Sequence, residues 1–296
     1  MQPDMPTTLI TGGGFLGQRL AHALAAQGHA LRVLDVAPAP AATVLPAACE
    51  WRVGDVGDFD TVAHALAGCD HVVHLAALLT PACAADPLRG ARVNLLGTLH
   101  VFEAARRAGL KHVVYASSAG VYGPSDPVYP LPTTLYGTWK LAGEGIARSC
   151  FADHGIGSVG LRPFVVYGAG REIGGSAGPS LACRAAARGE AYTIPFTGRT
   201  GLVHVDDVVA AFAAALQPRQ AGAHVFDMPG VTASMDELIA EIVRQVPAAR
   251  ISASGPPLPV AADIARSDMT AVLGPLAVTS LAEGVAKTLA GHRPGF

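Results

Sequence analysis

A tyrosine and a lysine stand four residues apart in the sequence YGTWK, as Tyr136 and Lys140. On a helix this spacing places both side chains on one face, because about 3.6 residues make a turn. An ordinary tyrosine, with a pKa of about 10, is a poor base at neutral pH, but a neighbouring ammonium group favours its phenolate. The pair is therefore a candidate proton carrier, although an exposed tyrosine and lysine on a solvated helix would show the same pattern.

A glycine-rich turn stands between a predicted strand, Thr7 to Thr11, and a predicted helix. A strand, a G-x-G-x-x-G turn and a helix in that order are the context of a dinucleotide-binding site. Gly12 permits the tight turn, Gly14 lets the backbone approach a pyrophosphate, and Gly17 allows the helix and the strand to pack closely. The helix N-terminus then offers free N–H groups to the phosphates.

An acidic residue follows at the distance that a nucleotide ribose requires. Ala30 to Val36 reads as a second buried strand that ends near Asp35. A carboxylate about 20 residues after the glycine turn is suited to the ribose hydroxyls. No arginine or lysine follows closely to receive a 2′-phosphate, so NAD is expected rather than NADP. The alternative is that Asp35 only caps a strand.

The remaining pattern predicts an α/β fold, a Rossmann doubly wound parallel sheet with a small C-terminal α/β substrate cap. We expect a NAD-binding Rossmann domain at 1–165 with a return segment at about 202–228, and a cap formed by 166–201 and 229–296. Further strands are predicted at Trp51–Val53, Asp70–Ala77, Lys111–Ser117 and Ile156–Leu161. A long helix is predicted over Pro87–Ala108. Another begins at Thr133 or Thr134, with an apolar stripe of Leu135, Trp139, Ala142, Ile146 and Cys150.

Composition excludes several classes of protein. The 296 residues carry a formal net charge of -2 and the basic residues are scattered, so nucleic acid is not an expected partner. No apolar run approaches the roughly 18 residues of a membrane span. The five cysteines lack paired spacing, and Met1 to Pro6 does not resemble a signal peptide, so a cytoplasmic protein is expected. His71 and His74 would face opposite sides of a strand, so no metal site is expected.

The motifs, taken in order, resemble the extended short-chain dehydrogenase/reductase superfamily and its NAD-dependent epimerase/dehydratase branch. The resemblance covers Thr8 to about Val208. Its motifs are TGGGFLG (11–17), Asp35, GDV (54–56), HLAA (74–77), VNLLGT (93–98), YASSAGVYG (115–123), YGTWK (136–140), LRPFVVYG (161–168) and VHVDDVV (203–209).

The resemblance implies a role for each matching residue. Tyr136 would be the general acid/base, Lys140 would hold the nicotinamide ribose, and Ser118 would bond the reacting oxygen. Thr134, Arg171 and Arg199 are the candidate substrate-binding residues, although the two arginines fit solvated loop positions equally well. The implied cofactor-binding residues are Gly12, Gly14, Phe15, Leu16, Gly17, Asp35, Asp55, Val56, Leu75, Ala76, Ala77, Asn94, Tyr136, Lys140, Pro163 and Val165.

The sequence departs from the branch where a nucleotide sugar would bind. The glycine turn is one residue shorter than T-G-x-x-G-x-x-G, and Ala119-Gly120 replaces the acidic pair of the dehydratases. Val165 stands in place of an asparagine that serves the nucleotide in many relatives. Thr200-Gly201-Leu202 replaces Arg-Asp-Phe and removes an arginine expected at the diphosphate.

These observations predict an NAD-dependent oxidoreductase that acts on a secondary alcohol or ketone of a small sugar-like or sugar-acid substrate. Epimerisation of a sugar or nucleotide sugar with transient oxidation is the alternative, since the same residues serve both reactions. A catalytically silent NAD-binding sensor or scaffold is a further alternative. Gly143 and Gly145 inside the predicted helix suggest close approach of another helix, and hence a homodimer.

Overall fold

The computed structural model describes residues 5–40, 45–47 and 49–292, so most of the Met1–Pro6 segment lies outside the described residues. The described strands are β1 (Thr7–Thr11), β2 (Ala30–Asp35), β3 (Cys49–Val53), β4 (His71–His74), β5 (His112–Ala116), β6 (Gly157–Pro163), β7 (Val165–Tyr167), β8 (Ala191–Ile194), β9 (Arg199–His204), β10 (Ala223–Met228), β11 (Val231–Ser234) and β12 (Arg250–Ala253).

Helices cover and connect these strands. They are α1 (Phe15–Ala26), α2 (Phe59–Leu66), α3 (Thr80–Ala85), α4 (Pro87–Ala91), α5 (Gly97–Arg107), α6 (Leu135–His154), α7 (Gly178–Arg188), α8 (Val205–Ala215), α9 (Met235–Gln245), α10 (Thr270–Leu273) and α11 (Leu281–Ala290). A short π-helix occupies Arg92–Leu96 and a 3₁₀ turn occupies Ala119–Val121. Within the described residues no helix is both long and apolar enough to cross a membrane.

Seven parallel strands form the central sheet in the order β10-β6-β5-β4-β1-β2-β3. The predicted Rossmann sheet is therefore confirmed, and β10 extends it beyond the six strands that the sequence pattern predicted. Both central strands, β1 and β4, are buried on both faces, with Leu9, Ile10 and Val73 fully buried. The strand order reverses between β1 and β4, and in such sheets the ligand crevice opens at the carboxyl ends of the strands at this reversal.

The C-terminal part contains more β-structure than the sequence pattern indicated. The strands β11, β9 and β7 form a second sheet, and β12 pairs with β8. A separate buried cluster, which includes Tyr167, Ile194 and Leu238, packs around them. The short, interrupted apolar runs of this part gave no clear period, which is why these strands were not predicted. The domain boundary at 165 remains a prediction.

The long helix predicted over 87–108 is interrupted. It consists of α4, the π-helix and α5 in succession. A π-helix turn places one extra residue in the backbone ring and frequently marks a functional site. Asn94 lies inside it and is 1% exposed.

The buried face of α6 differs from the predicted apolar stripe. Lys140, Gly143 and Glu144 are buried, whereas Leu135 is 44% exposed. A Cβ on Gly143 would lie 3.4 Å from Thr98 of α5, so packing within one chain explains this glycine. A Cβ on Gly145 would approach only the end of the Arg148 side chain, at 3.9 Å. The helix that approaches Gly143 is therefore α5 of the same chain, and the homodimer remains a prediction.

Candidate active site

Three glycines of the turn after β1 occupy positions with different surroundings. Gly12 has a φ of +88°, and a Cβ there would lie 2.6 Å from the Ala76 nitrogen. A Cβ on Gly17 would meet the Gly12 carbonyl oxygen, so this glycine brings α1 against the turn. A Cβ on Gly14 would meet nothing within 4 Å, because this position faces open space. The turn therefore leaves room for a ligand at Gly14, but not at Gly12 or Gly17.

Asp35 at the end of β2 is held beside this turn. Its Oδ2 accepts a hydrogen bond from the Gly13 nitrogen at 2.6 Å, and its Oδ1 accepts one from the Ala37 nitrogen at 2.8 Å. A carboxylate oxygen has more than one lone pair, so each retains capacity for a ribose hydroxyl. The two backbone bonds fix the orientation in which this carboxylate meets a ligand.

Two caps position the hydroxyl groups at the other end of the site. Ser118 follows β5, and its Oγ accepts a hydrogen bond from the Gly120 nitrogen at 3.0 Å. Thr134 caps α6 through its Oγ1, which accepts from the Gly137 nitrogen at 3.1 Å. Each hydroxyl keeps its own proton for donation, because these bonds use only a lone pair.

Tyr136 and Lys140 lie in the first two turns of α6. Burial raises the pKa of the Tyr136 phenol, and a hydrogen bond with Ser118 lowers it in part. The Lys140 Nζ donates to the Ala116 oxygen at 2.6 Å and lies 5.8 Å from the Tyr136 ring centroid. Burial lowers the pKa of Lys140 to about 8, so the ammonium form still predominates at neutral pH. A serine, a tyrosine and a charged lysine thus converge as the sequence predicted.

A cavity of about 900 Å³ joins the glycine turn to these three side chains. All the residues predicted to act in catalysis, cofactor binding or substrate binding line it, except Asn94 and Arg199. The cavity runs along the carboxyl ends of the strands at the reversal between β1 and β4. It has the position expected for a ligand in a doubly wound sheet.

Asn94 acts behind the cavity wall. Its side-chain oxygen accepts from the Leu78 nitrogen at 2.8 Å, and its side-chain nitrogen donates to the Leu78 oxygen at 2.9 Å. Leu78 itself lines the cavity. The predicted cofactor contact of Asn94 is therefore replaced by an indirect role, in which it fixes the segment after β4.

Arg199 lies outside the cavity. Its side chain is 53% exposed, and its NH1 lies 3.7 Å from a carboxylate oxygen of Glu237. The cause is the pairing of β9 with β11, which places Arg199 opposite Ser234, at the start of α9. This placement gives no support to the predicted substrate contact of Arg199.

Arg171 lines the cavity and is held by neutral acceptors. Its NH2 donates to the Ser176 Oγ at 2.8 Å, and its NH1 donates to the Val166 oxygen. Burial lowers the pKa of Arg171 to about 10, while the neighbouring Tyr136 raises it, so the guanidinium is charged at neutral pH. Among the described residues no carboxylate forms an ion pair with it.

Sequence reasoning missed part of the cavity wall. Leu79, Arg89 and the 258–260 segment also line it. The last of these belongs to the Pro/Gly-rich stretch after β12, which has no periodic pattern that would place it. Phe164, which lies inside the segment from Pro163 to Val165 predicted to contact the nicotinamide, lines the cavity with its two neighbours. Within the described residues no group of three or more His, Cys, Asp or Glu is arranged to hold a metal.

The cavity fits a dinucleotide on structural grounds alone. An open glycine at a helix N-terminus suits a pyrophosphate, and an oriented carboxylate suits a ribose. The cavity continues from both to the serine, tyrosine and lysine. Comparison with known proteins agrees: the sequence profile of the NAD-dependent epimerase/dehydratase family matches residues 8–228 of this chain.

The chain belongs to this family. It is 33% identical over 306 residues to a UDP-glucose 4-epimerase of Mycolicibacterium smegmatis, across 95% of this chain and 97% of that protein. It is 35% identical over 163 residues to a uronate dehydrogenase of Pseudomonas syringae pv. tomato, across 52% of this chain and 57% of that one. A UDP-glucose 4-epimerase of Azospirillum brasilense is 34% identical, and the chain spans only 50% of its length.

A solved structure shows the same fold with its cofactor in place. MoeE5 in complex with UDP-glucose and NAD is 30% identical, has a TM-score of 0.82, and is matched over 96% of this chain and 98% of its own. The predicted family and the predicted NAD cofactor are thereby confirmed. The prediction of an enzyme of the extended short-chain dehydrogenase/reductase type agrees with these relatives.

Proposed function

We propose that this protein is an NAD-dependent dehydrogenase that oxidises a secondary hydroxyl group of a small polyhydroxylated acid. The observation that carries the proposal is Arg171, a partly buried cation that lines the cavity close to Tyr136 and bonds only neutral acceptors. A buried charge is costly unless a partner compensates it. A substrate carboxylate would supply the missing partner, and the guanidinium fork matches it in shape.

The residues that would hold NAD are those of the glycine turn and Asp35, with Lys140 at the nicotinamide ribose. When bound, NAD supplies the acceptor for the hydride of the substrate carbinol. The protein provides position and proton handling. Asp55 and Val56 would border the adenine, and Pro163 and Val165 the nicotinamide.

Proton transfer falls to three side chains. The Ser118 hydroxyl would donate to the substrate oxygen and so fix its distance from the Tyr136 phenol. Tyr136 would take the hydroxyl proton, and the Lys140 ammonium would stabilise the phenolate that performs this step. Thr134 at the start of α6 would bond a neighbouring hydroxyl of the substrate.

Net oxidation is favoured over epimerisation of a nucleotide sugar by Val165 of the cavity wall and by the segment that replaces the arginine motif. Val165 is 2% exposed and offers no polar group to a uridine. Thr200 and Leu202, in place of the arginine motif, are also buried and carry no charge for a diphosphate. The relative that oxidises a uronate supports an acidic substrate. Epimerisation remains the second candidate, because several of the relatives are UDP-glucose 4-epimerases.

Further parts of the proposal concern the assembly and its place in the cell. We assign 166–201 and 229–296 to a substrate cap, supported by the separate cluster of buried residues around the two smaller sheets. A homodimer is supported by the open face of α6 at Gly145 and by apolar Leu99, which is 42% exposed on α5. A cytoplasmic location is supported by five cysteines that form no disulfide.

The test measures NADH formation with NAD over a panel of aldonic acids, lactones, neutral sugars and UDP-sugars. We expect turnover of an acid, and we expect Arg171→Gln to raise its KM by at least about tenfold through loss of a charge pair inside the cavity. Arg199→Gln is the matched control and should leave KM within about twofold, since exposed pairs contribute little. Turnover of UDP-sugars alone, or an Arg171→Gln enzyme with unchanged KM, would overturn the proposal.

A further inference from the structure

Three consecutive residues at the end of β5 contact three successive turns of α6. Lys140 donates to the Ala116 oxygen at 2.6 Å, and the Glu144 Oε1 accepts from the Ser117 Oγ at 2.5 Å. Ser118, the next residue, lies close enough to Tyr136 to lower the pKa of its phenol. The helix that carries the proton carrier is thus joined at each turn to the strand end that carries the serine.

Glu144 is the member of this set to which the proposed chemistry assigns no role. It is fully buried, and a bidentate ion pair with Arg162 of β6 satisfies its carboxylate, with Nε at 2.8 Å and NH2 at 2.7 Å. A lone buried carboxylate would be strongly unfavourable, and a buried pair is favourable only with complete hydrogen bonding. With Ser117 as its third donor, Glu144 meets that condition.

Arg162 also reaches the far end of the loop that bears Ser118. Its NH1 donates to the Tyr122 hydroxyl at 2.7 Å and lies 3.3 Å from the Asp227 Oδ1 of β10. The Tyr122 hydroxyl donates in turn to the Asp227 Oδ2 at 3.1 Å. The loop from 117 to 122 is therefore held at both ends by one guanidinium, directly at Tyr122 and through Glu144 at Ser117.

We propose that Glu144, through Ser117 and Arg162, is a positioning residue that fixes Ser118 against Tyr136 and Lys140. Displacement of a catalytic group by about 1 Å can lower a rate by about a hundredfold, so such a tether has direct kinetic effect. The inference rests on the proposed proton-transfer site but not on the identity of the substrate.

Glu144 also supplies a charge to the site. The titratable groups that face Lys140 are Tyr136 and Glu144 on α6, Cys83 on α3 and His74 on β4. Burial raises the pKa of the Cys83 thiol and lowers that of His74 to about 3, so both are neutral near pH 7. Glu144 is therefore the group in this set whose negative charge raises the pKa of Lys140 against the effect of burial.

Two variants separate the tether from the charge. Ser117→Ala removes the bond to the strand end and keeps the carboxylate. Glu144→Gln removes the charge and keeps an acceptor for Ser117. The matched control is Glu103→Gln, which removes a carboxylate that pairs with two arginines on the solvent side of α5.

The first measurement is hydrogen exchange of the 117–122 backbone, which needs no substrate. We expect faster exchange in this segment for Ser117→Ala. A smaller increase is expected for Glu144→Gln, because the glutamine still accepts from Ser117 but loses the ion pair with Arg162. Glu103→Gln should show no change there. Unchanged exchange in both site variants would overturn the inference even if the enzyme is active. Ser117→Ala keeps the test decisive if Glu144→Gln does not fold.

The second measurement is the pH dependence of NADH formation with the best acid of the panel. Lys140 loses its charge as pH rises through its pKa, so activity falls on the alkaline side. Glu144→Gln should move this fall to lower pH and reduce kcat by about tenfold or more, with KM for NAD changed much less. Ser117→Ala should reduce kcat without moving the fall. If both variants had the pH profile and the kcat of the unaltered enzyme, the inference would be overturned. An absence of turnover on every acid would count against the proposed function alone.

Discussion

The carboxylate of Asp35 accepts a hydrogen bond from the Gly13 nitrogen at 2.6 Å, and this bond joins the end of β2 to the middle of the glycine turn. The turn is one residue shorter than in related sequences, yet its central N–H is still satisfied. Gly13 also packs against Trp51 of β3, since a Cβ there would meet the indole ring. The shortened turn is thus supported from two strands.

Replacement of Asp35 tests its part in cofactor choice. We expect Asp35→Asn to weaken NAD binding by about tenfold, because a charge-assisted bond to the ribose becomes a neutral one. The preference for NAD over NADP should shrink as well, since the repulsion of a 2′-phosphate is removed. Thermal shifts with each cofactor measure both effects. Asp126→Asn is the control, because Asp126 also accepts two backbone N–H groups but lies outside the cavity. Equal shifts with NAD and NADP in the unaltered protein would contradict the assignment.

Two glycines of the same turn should respond differently to alanine. Gly14→Ala adds a methyl group to open space, so the Tm without cofactor should change by less than about 2 °C, while the stabilisation by NAD falls. Gly17→Ala places a methyl group against the Gly12 carbonyl, and overpacking of this kind costs roughly 3 kcal/mol. Scanning calorimetry with and without NAD distinguishes the two. A large loss of Tm in Gly14→Ala without cofactor would refute the open geometry of that position.

Removal of the Tyr136 hydroxyl should stop proton transfer and spare cofactor binding. We expect Tyr136→Phe to lower kcat by about 10²- to 10⁴-fold, the usual contribution of a general base. The thermal shift with NAD should persist, because Lys140 and the glycine turn are unchanged. Tyr129→Phe serves as the control, since Tyr129 is 69% exposed before α6. Full activity in Tyr136→Phe would favour the alternative of a silent NAD-binding scaffold.

His74 should make the fold sensitive to acid. It is 2% exposed between Thr11 and Thr98, and burial, with a smaller effect of Lys140, lowers its pKa to about 3. The unfolded chain binds a proton at about pH 6.5 and the folded chain does not, so stability falls as pH drops from 6.5 towards 3. The loss reaches about 1.4 kcal/mol for each pH unit in this window.

Urea unfolding at several pH values measures this slope. His74→Gln should reduce the slope by up to the contribution of one proton, about 1.4 kcal/mol per pH unit. Part of the slope should persist, because burial also lowers the pKa values of His29, His71 and His112. An unaltered slope in His74→Gln would show that this imidazole does not titrate differently on folding.

The sequence was most informative where apolar runs and glycines repeat at fixed intervals. The strand at Thr7–Thr11 was predicted to the residue, and the next five were placed within a few residues of their observed limits. A parallel sheet buries both faces of its strands, so each reads as a continuous apolar run. The strands at 191–194 and 250–253 are short, half-exposed and paired with each other across a long separation, and no local pattern distinguishes them.

The sequence motifs predicted the part of the site whose residues lie within them. Ser118, Tyr136 and Lys140 stand in matched sequences, and the structure brings them to one cavity. Glu144 lies one turn beyond Lys140, but its partners Ser117 and Arg162 come from two other elements, so only the three-dimensional structure shows the connection. Arg199 illustrates the opposite case: it lies next to a motif in the sequence, and the direction of β9 turns it towards α9.

The pairing of β10 with β6 has a consequence for the order in which the protein can acquire its activity during synthesis. Asp227 lies 65 residues after Arg162, and β10 covers the edge of β6. A growing chain contains Ser118, Tyr136 and Lys140 well before the strand that completes the anchoring of their loop has been made. Until then the β6 edge is open and Arg162 has only the carboxylate of Glu144. The side chains proposed for catalysis are therefore present early in translation, while the framework that aligns them is completed late.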